Sequence, residues 1–160
     1  MSEKPILGVL LGNSAGVGPE LVAMLAVKDY YKDYCRPVII GDLRMFEHGL
    51  KVVGGDVPHY VVGDLSECDW SKGFPVLDLK DQDPAQVVYG EANAYCGASD
   101  LRQLDTGIAL CKAGKIEGFL TKDESQKLVT FHRRPVPGGK TAVTLYETLE
   151  TRGELSLVRC

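Results

Sequence analysis

The sequence predicts an α/β protein built on a largely parallel sheet, and two patterns carry that expectation. Short apolar runs at residues 6–11, 37–41 and 116–120 alternate with stretches of helical periodicity, the pattern that lays helices over parallel strands. The first run leads directly into Gly12-Asn13-Ser14-Ala15-Gly16-Val17-Gly18-Pro19-Glu20, where three glycines permit a tight turn and Pro19 suits the first position of a helix. This reads as a buried strand, a glycine loop and a helix start.

Taken in order, residues 6–11 form the first strand and 20–27 the following helix, with Leu21, Leu25 and Met24 expected on its inner face. Residues 37–41 read as a second buried strand. Asp42 is placed to cap a helix that runs to about Val53 and is ended by Gly54 and Gly55. A shorter strand follows at 57–62, then an irregular polar stretch at 63–73 and a strand at 74–79. The longest helical pattern lies within 90–113, where Leu101, Leu104, Ile108 and Leu110 recur at helical spacing before Gly114 closes it. The strand at 116–120 ends at Thr121, and 123–129 reads as a polar turn or short helix. Two prolines and two glycines make 131–140 a loop, 141–151 is compatible with a helix, and 155–159 begins one more strand. That strand lacks the loop and helix that normally follow, so residues 1–160 are expected to form a single, incomplete α/β domain.

Composition narrows the functional classes. With 160 residues, 44% hydrophobic and 25% charged, the chain is that of a globular protein with room for one substantial core. A net charge of −4 argues against a general nucleic-acid or anionic-membrane binder, so a small anionic substrate would need local cations or backbone N–H groups. No apolar run is long enough to span a bilayer and the polar start is not a signal peptide, from which a cytoplasmic location is expected. Cys35, Cys68, Cys96, Cys111 and Cys160 are scattered and form no C-x-x-C, which favours reduced thiols. His48, His59 and His132 include no i, i+4 pair and offer no metal constellation, reading as surface or partly buried residues.

Gly12, Asn13, Gly16 and Gly18 are the candidate ligand loop, because a glycine turn at a helix N-terminus presents backbone N–H groups to an anion or polar ligand. The dinucleotide fingerprint G-x-G-x-x-G is not met, since Leu21 stands where its third glycine belongs. A tight turn without any ligand is the plainer alternative. Gly139-Lys140-Thr141 is no phosphate loop either, because Arg134 occupies the position of its first glycine.

The string G-N-S-A-G-V-G-P-E closely resembles the opening signature of the 4-hydroxythreonine-4-phosphate dehydrogenase family, G-D-P-A-G-[IV]-G-P-E. Asn13 and Ser14 replace Asp-Pro, a variation associated with the branch that acts on phosphorylated four-carbon sugar acids rather than on the vitamin B6 (pyridoxine) precursor. Gly90-Glu91-Ala92-Asn93-Ala94 loosely resembles the family's G-x-x-[SN]-A-E-x-G region, and the segment from Ala113 to Thr121 resembles its A-G-x-[VI]-D-A-[LI]-V-T strand. Two departures stand out. The family's T-A-P-I-N-K is replaced by Thr121-Lys122-Asp123-Glu124-Ser125-Gln126-Lys127, where only Thr121 matches in register. Its P-G-H-T-E is replaced by Pro137-Gly138-Gly139-Lys140-Thr141, without the histidine.

The resemblance implies an isocitrate/isopropylmalate dehydrogenase-like architecture of α/β/α layers. It also implies NAD- and divalent-metal-dependent oxidation of a phosphorylated hydroxy acid, followed by decarboxylation, in a homodimer. Lys140 and Thr141, with Arg134 as an alternative cation, are the implied contacts to the substrate anion. The family's metal histidines and much of its nicotinamide site lie beyond the part resembled, so the chain is read as an N-terminal half with no catalytic residue or metal ligand assigned and no turnover expected alone. A non-catalytic binding or interaction protein that keeps half of the fold is the competing reading. An unrelated α/β protein with a coincidental turn is the third, and a first strand lying outside the centre of its sheet would favour it.

Overall fold

A computed structural model describes residues 4–91, 93–123, 128–131, 147–152 and 155–159. Six strands form one sheet: β1 (Ile6–Leu10), β2 (Arg36–Gly41), β3 (His59–Val62), β4 (Phe74–Asp78), β5 (Gly118–Asp123) and β6 (Leu128–Phe131), in the order β3-β4-β2-β1-β5-β6. All neighbours are parallel except β5 and β6, which pair antiparallel at one edge. β1 is therefore interior, between β2 and β5, as the reading of the glycine loop requires. Two further strands, β7 (Glu147–Arg152) and β8 (Leu155–Arg159), form an antiparallel ribbon.

Consecutive side chains of a strand point to opposite faces, and here the two faces are covered by different helices. Val9, Ile39 and Val76 join Val22, Ala23 and Ala26 of α1 (Gly18–Val27) and Met45, Phe46 and Leu50 of α2 (Leu43–Val53) in one buried cluster. Leu10, Ile40 and Phe119 belong to a second cluster, packed by Leu104, Ile108 and Leu110 of α3 (Ala94–Lys112). This is an α/β/α sandwich around a parallel sheet. Burial of the sheet on both faces explains why its strands read as unbroken apolar runs.

Asp42 caps α2 as expected, and Gly54 ends it in a left-handed conformation. The inner face of α1 is not the expected one: Leu21 and Met24 are exposed, while Val22, Ala23 and Ala26 are buried. The cause is the closeness of α1 and α2, for a Cβ on Gly49 would lie 2.4 Å from the Pro19 carbonyl oxygen. Only small side chains fit between helices that cross so tightly. Leu101 is likewise exposed, because the buried row of α3 is Cys96, Ser99, Gln103 and Gly107. Gly107 lies against the Phe119 ring, where a Cβ would come within 3.1 Å of a ring carbon.

One helix expectation is corrected: part of the stretch 141–151 is strand β7, paired with β8. There backbone pairing with a neighbouring strand overrides residue types that tolerate a helix. Of 123–129, read as a polar turn or short helix, Asp123 ends β5 and residues 128–129 begin β6, while 124–127 lie outside the described residues. Residues 132–146, with most of the predicted 131–140 loop, lie outside the described residues. Among the described residues the four cysteines are free thiols, and burial pushes Cys35 and Cys68 up to about 11, away from thiolate reactivity. No described helix is long and apolar enough to cross a membrane.

Candidate functional site

The chain leaves β1 in one direction through α1 to β2, and returns through α3 to β5 on the other side of β1. That reversal makes the C-terminal ends of β1 and β5 a topological switch point, where open α/β sheets leave a crevice for ligands. A cleft of about 150 Å³ opens there, lined by Leu10, Gly12, Asn13, Gly18, Asp100, Gln103 and Thr121. The neighbouring strand ends are closed by their own carboxylates. Asp42 at the end of β2 accepts from the Arg44 and Gln82 amides, and Asp78 at the end of β4 accepts from those of Leu43 and Lys80.

The loop that forms one wall is fixed from within. Gly12 has φ +70°, a left-handed conformation that suits glycine, and swings the chain out of β1. The Asn13 side-chain oxygen accepts from the Ala15 amide at 2.9 Å, and its carbonyl from the Gly16 amide at 3.0 Å. Gly18 then lies so close to β1 that a Cβ would come within 2.1 Å of the Leu11 carbonyl oxygen. Val17 provides no side-chain cap for α1, so the helix start is left to backbone and solvent.

The opposite wall is α3. Gln103, 1% exposed, accepts a hydrogen bond from the Gly12 amide through Oε1 at 2.8 Å, and its Nε2 donates to Ser99 Oγ at 3.2 Å. Ser99 Oγ donates to Asp81 Oδ1 at 3.1 Å, and Asp81 is held by Arg102 Nε at 2.6 Å. A continuous hydrogen-bond chain thus ties the glycine loop to a salt bridge at the surface. One turn earlier on α3, Asp100 Oδ2 accepts from Asn13 Nδ2 at 2.8 Å.

Of the residues singled out in the sequence, Gly12, Asn13 and Gly18 line the cleft, and Gly16 closes the turn behind them. Lys140, Thr141, Arg134 and His132 lie outside the described residues. His48 stacks on Tyr89, and His59 donates from Nδ1 to the Val57 carbonyl while meeting Phe46 edge-on. Among the described residues, no three His, Cys, Asp or Glu side chains gather as a metal would require. Asp100 and Gln103 were missed in the sequence. Their signal was the row Cys96-Ser99-Gln103-Gly107, a helical repeat of small and polar residues that apolar periodicity passes over.

Asp42 supplies a pH-dependent link. Burial pushes its carboxyl up, but hydrogen bonds from the Arg44 side chain and from the Gln82 and Arg44 amides outweigh this, and the net shift is downward. A lowered native value means that the stabilisation is present above the ordinary carboxylate value of 3.8 and is lost as pH falls below it. Asp42→Asn keeps a capping oxygen but removes the charge facing Arg44. Its acid unfolding, followed by circular dichroism, should therefore depend less on pH below that point than the wild type's.

No protein-family model matches the chain. Among curated proteins, D-threonate 4-phosphate dehydrogenase of Bordetella bronchiseptica is 31% identical over 122 residues, covering 75% of this chain and 35% of that protein. The enzyme of the same name from Cupriavidus necator is 25% identical over 136 residues, covering 84% of this chain and 40% of its own length. Among solved structures, a 4-hydroxythreonine-4-phosphate dehydrogenase from Burkholderia phymatum superposes with a TM-score of 0.69 at 27% identity, covering 74% of this chain and 36% of that one. The chain thus spans little more than a third of the length of these relatives, a partial coverage that fits the expected N-terminal half. In sequence and in fold, the chain belongs to the 4-hydroxythreonine-4-phosphate dehydrogenase family.

Proposed function

We propose that the cleft at the ends of β1 and β5 is one wall of the substrate site of a dehydrogenase acting on a phosphorylated four-carbon hydroxy acid of the D-threonate 4-phosphate kind. The observation that carries this reading is the coincidence of the family's glycine signature with the switch-point cleft. Asn13 and Ser14 in that signature, and the names of the D-threonate 4-phosphate relatives, favour this branch.

When bound, NAD would supply the hydride acceptor and a divalent metal the Lewis acid for the family's oxidation and decarboxylation of a hydroxy acid. The described residues hold no metal set, so the roles assigned to them are binding and orientation. Gly12, Asn13, Gly16 and Gly18 shape the wall against which the substrate lies, while Lys140 and Thr141 are proposed to meet its anionic end. The chain is read as one incomplete α/β domain of a cytoplasmic homodimer, and the exposed Val17, Leu21, Met24 and Val27 of the α1 region offer apolar surface for association.

Incubated with NAD, a divalent metal and D-threonate 4-phosphate, the isolated chain should bind the sugar acid by calorimetry and produce no NADH. Sustained NADH formation would show that the chain is sufficient for turnover, against this reading. Absence of binding would remove the substrate assignment. A non-catalytic binding module is the second reading, favoured by the replacement in this sequence of the family's P-G-H-T-E histidine and of its T-A-P-I-N-K pattern. Fusion to the remaining sequence of a D-threonate 4-phosphate dehydrogenase separates the two: recovered NADH production supports the enzyme, and binding without it supports the module.

A further inference from the structure

We propose that Asp81 is a positioning residue for the ligand site: from outside the cleft it sets, through Ser99 and Gln103, how the backbone of Gly12 is held in the wall. That this wall meets a ligand rests on the dehydrogenase reading. The hold on Gly12 stands on hydrogen bonds within the chain.

Three of those bonds run in one direction, because each leaves the next group a single role. The Gly12 N–H can only donate, so the Gln103 atom facing it at 2.8 Å is Oε1. Gln103 Nε2, which also only donates, is thereby turned to Ser99 Oγ at 3.2 Å and reaches the Gly12 carbonyl at 3.4 Å. Ser99 then gives its single proton to Asp81 Oδ1 at 3.1 Å, and an ionised carboxylate only accepts. The usual alternative for a helical serine is the carbonyl four residues earlier, but that of Tyr95 already takes Gln82 Nε2 at 3.1 Å. The series therefore ends on Asp81. Were the group at its end a donor, Ser99 would receive two donors and its own proton would lose its acceptor. A reversed Gln103 amide would be no remedy, since it would set Nε2 against the Gly12 N–H and Oε1 against the Gly12 carbonyl.

The local backbone fixes where Asp81 stands. Lys80 turns the chain at φ +53°, and the Gln82 amide is bound to Asp42 Oδ2 at 2.8 Å, so the residue between them is held over α3. The Asp81 side chain is 9% exposed, and Ser99 and Gln103 are buried. Out of water, a polar group that loses its partner costs more than it would at the surface. Arg102 Nε donates to the second Asp81 oxygen at 2.6 Å and compensates its charge. Neither Asp81, Ser99 nor Arg102 is among the described residues that line the cleft, so substituting them acts on a ligand only through the wall.

Proton–nitrogen correlation spectra and amide hydrogen exchange of the wild type, Asp81→Asn and Ser99→Ala, without ligand and then with D-threonate 4-phosphate, test the assignment. Asparagine keeps the volume and satisfies Arg102 through its oxygen, which turns its NH2 group on Ser99. Ser99→Ala cuts the series without touching the salt bridge and suits a helix, so it carries the test even if Asp81→Asn does not fold. Each variant is expected to shift the Gly12 amide proton and to speed its exchange about tenfold beyond that of amides in β2. Each should also weaken D-threonate 4-phosphate binding about tenfold. Adding Asp81→Asn to Ser99→Ala should change neither quantity further, because the series is already cut.

A Gly12 amide unchanged in a folded single variant, protection lost evenly across the sheet, or additive effects in the double variant would overturn the assignment. So would a Gly12 response that leaves the affinity for D-threonate 4-phosphate untouched. In each of these cases, binding by the wild type would leave the dehydrogenase reading intact. The expected Gly12 responses in a chain that binds no D-threonate 4-phosphate would have the opposite meaning. They would keep Asp81 as the positioning residue of the loop and remove the substrate proposal.

Discussion

Gly18→Ala is expected to lower the stability of the chain by about 3 kcal/mol, among the largest effects of any single methyl group added to it. The new Cβ would sit 2.1 Å from the Leu11 carbonyl oxygen, a backbone atom that cannot rotate away as a side chain can. Either α1 must move from the end of β1 or the loop between them must open. Both responses disturb the cleft, so ligand binding should fall along with the urea midpoint. Gly97→Ala provides the contrast. Gly97 lies within α3 with nothing near its missing Cβ, and the substitution should stabilise by about 0.5–1 kcal/mol through helix propensity. Equal urea midpoints for the two variants would show that the contact at Gly18 is not the constraint described.

Gln103→Leu is expected to cost about 1–3 kcal/mol, and its character should differ from that of Gly18→Ala. Leucine fills most of the volume, so the packing of α3 over the sheet is kept. What is lost is the acceptor for the Gly12 amide and the donor to Ser99, which leaves polar groups beside a 1% exposed position without their partner. The damage should concentrate in the loop. Hydrogen exchange at the Gly12 amide should accelerate well beyond the change in global stability, while amides in the middle of β2 remain protected. Uniform acceleration across the sheet would mean that Gln103 acts only as core.

The fold was more legible in the sequence than the site. β1, β2 and β5 announced themselves as apolar runs because a parallel sheet covered on both faces has no polar side to show, and α2 did so through Asp42 and Gly54. Helix faces were harder. Where α1 meets α2 at Gly49, the surface turned inward is made of alanine, valine and glycine, and the larger Leu21 and Met24 are left outside. Counting large apolar residues therefore chose the wrong side. β7 failed for a different reason: the partner of Glu147–Arg152 is β8, and pairing between strands is not contained in either segment alone.

At the site, the loop was visible through its glycines and its signature, but its chemistry was not. The sequence offered the loop amides to an anion or polar ligand; the fold engages the Gly12, Ala15 and Gly16 amides internally and brings a carboxylate from 87 positions away to Asn13. Gln103 and Asp100 lie on a helix whose leucines drew the eye. Their meaning depends on which turn of α3 passes over the end of β1, a fact of tertiary packing.

The central claim, that the Gly12–Gly18 loop and α3 frame a ligand site at the switch point, is tested most directly by a crystal structure of the chain with D-threonate 4-phosphate. The ligand is predicted to lie between Asn13 and Thr121 at the ends of β1 and β5, with the Gly12–Gln103 hydrogen bond intact. Density for the sugar acid elsewhere on the protein, with the cleft holding only solvent, would contradict the claim.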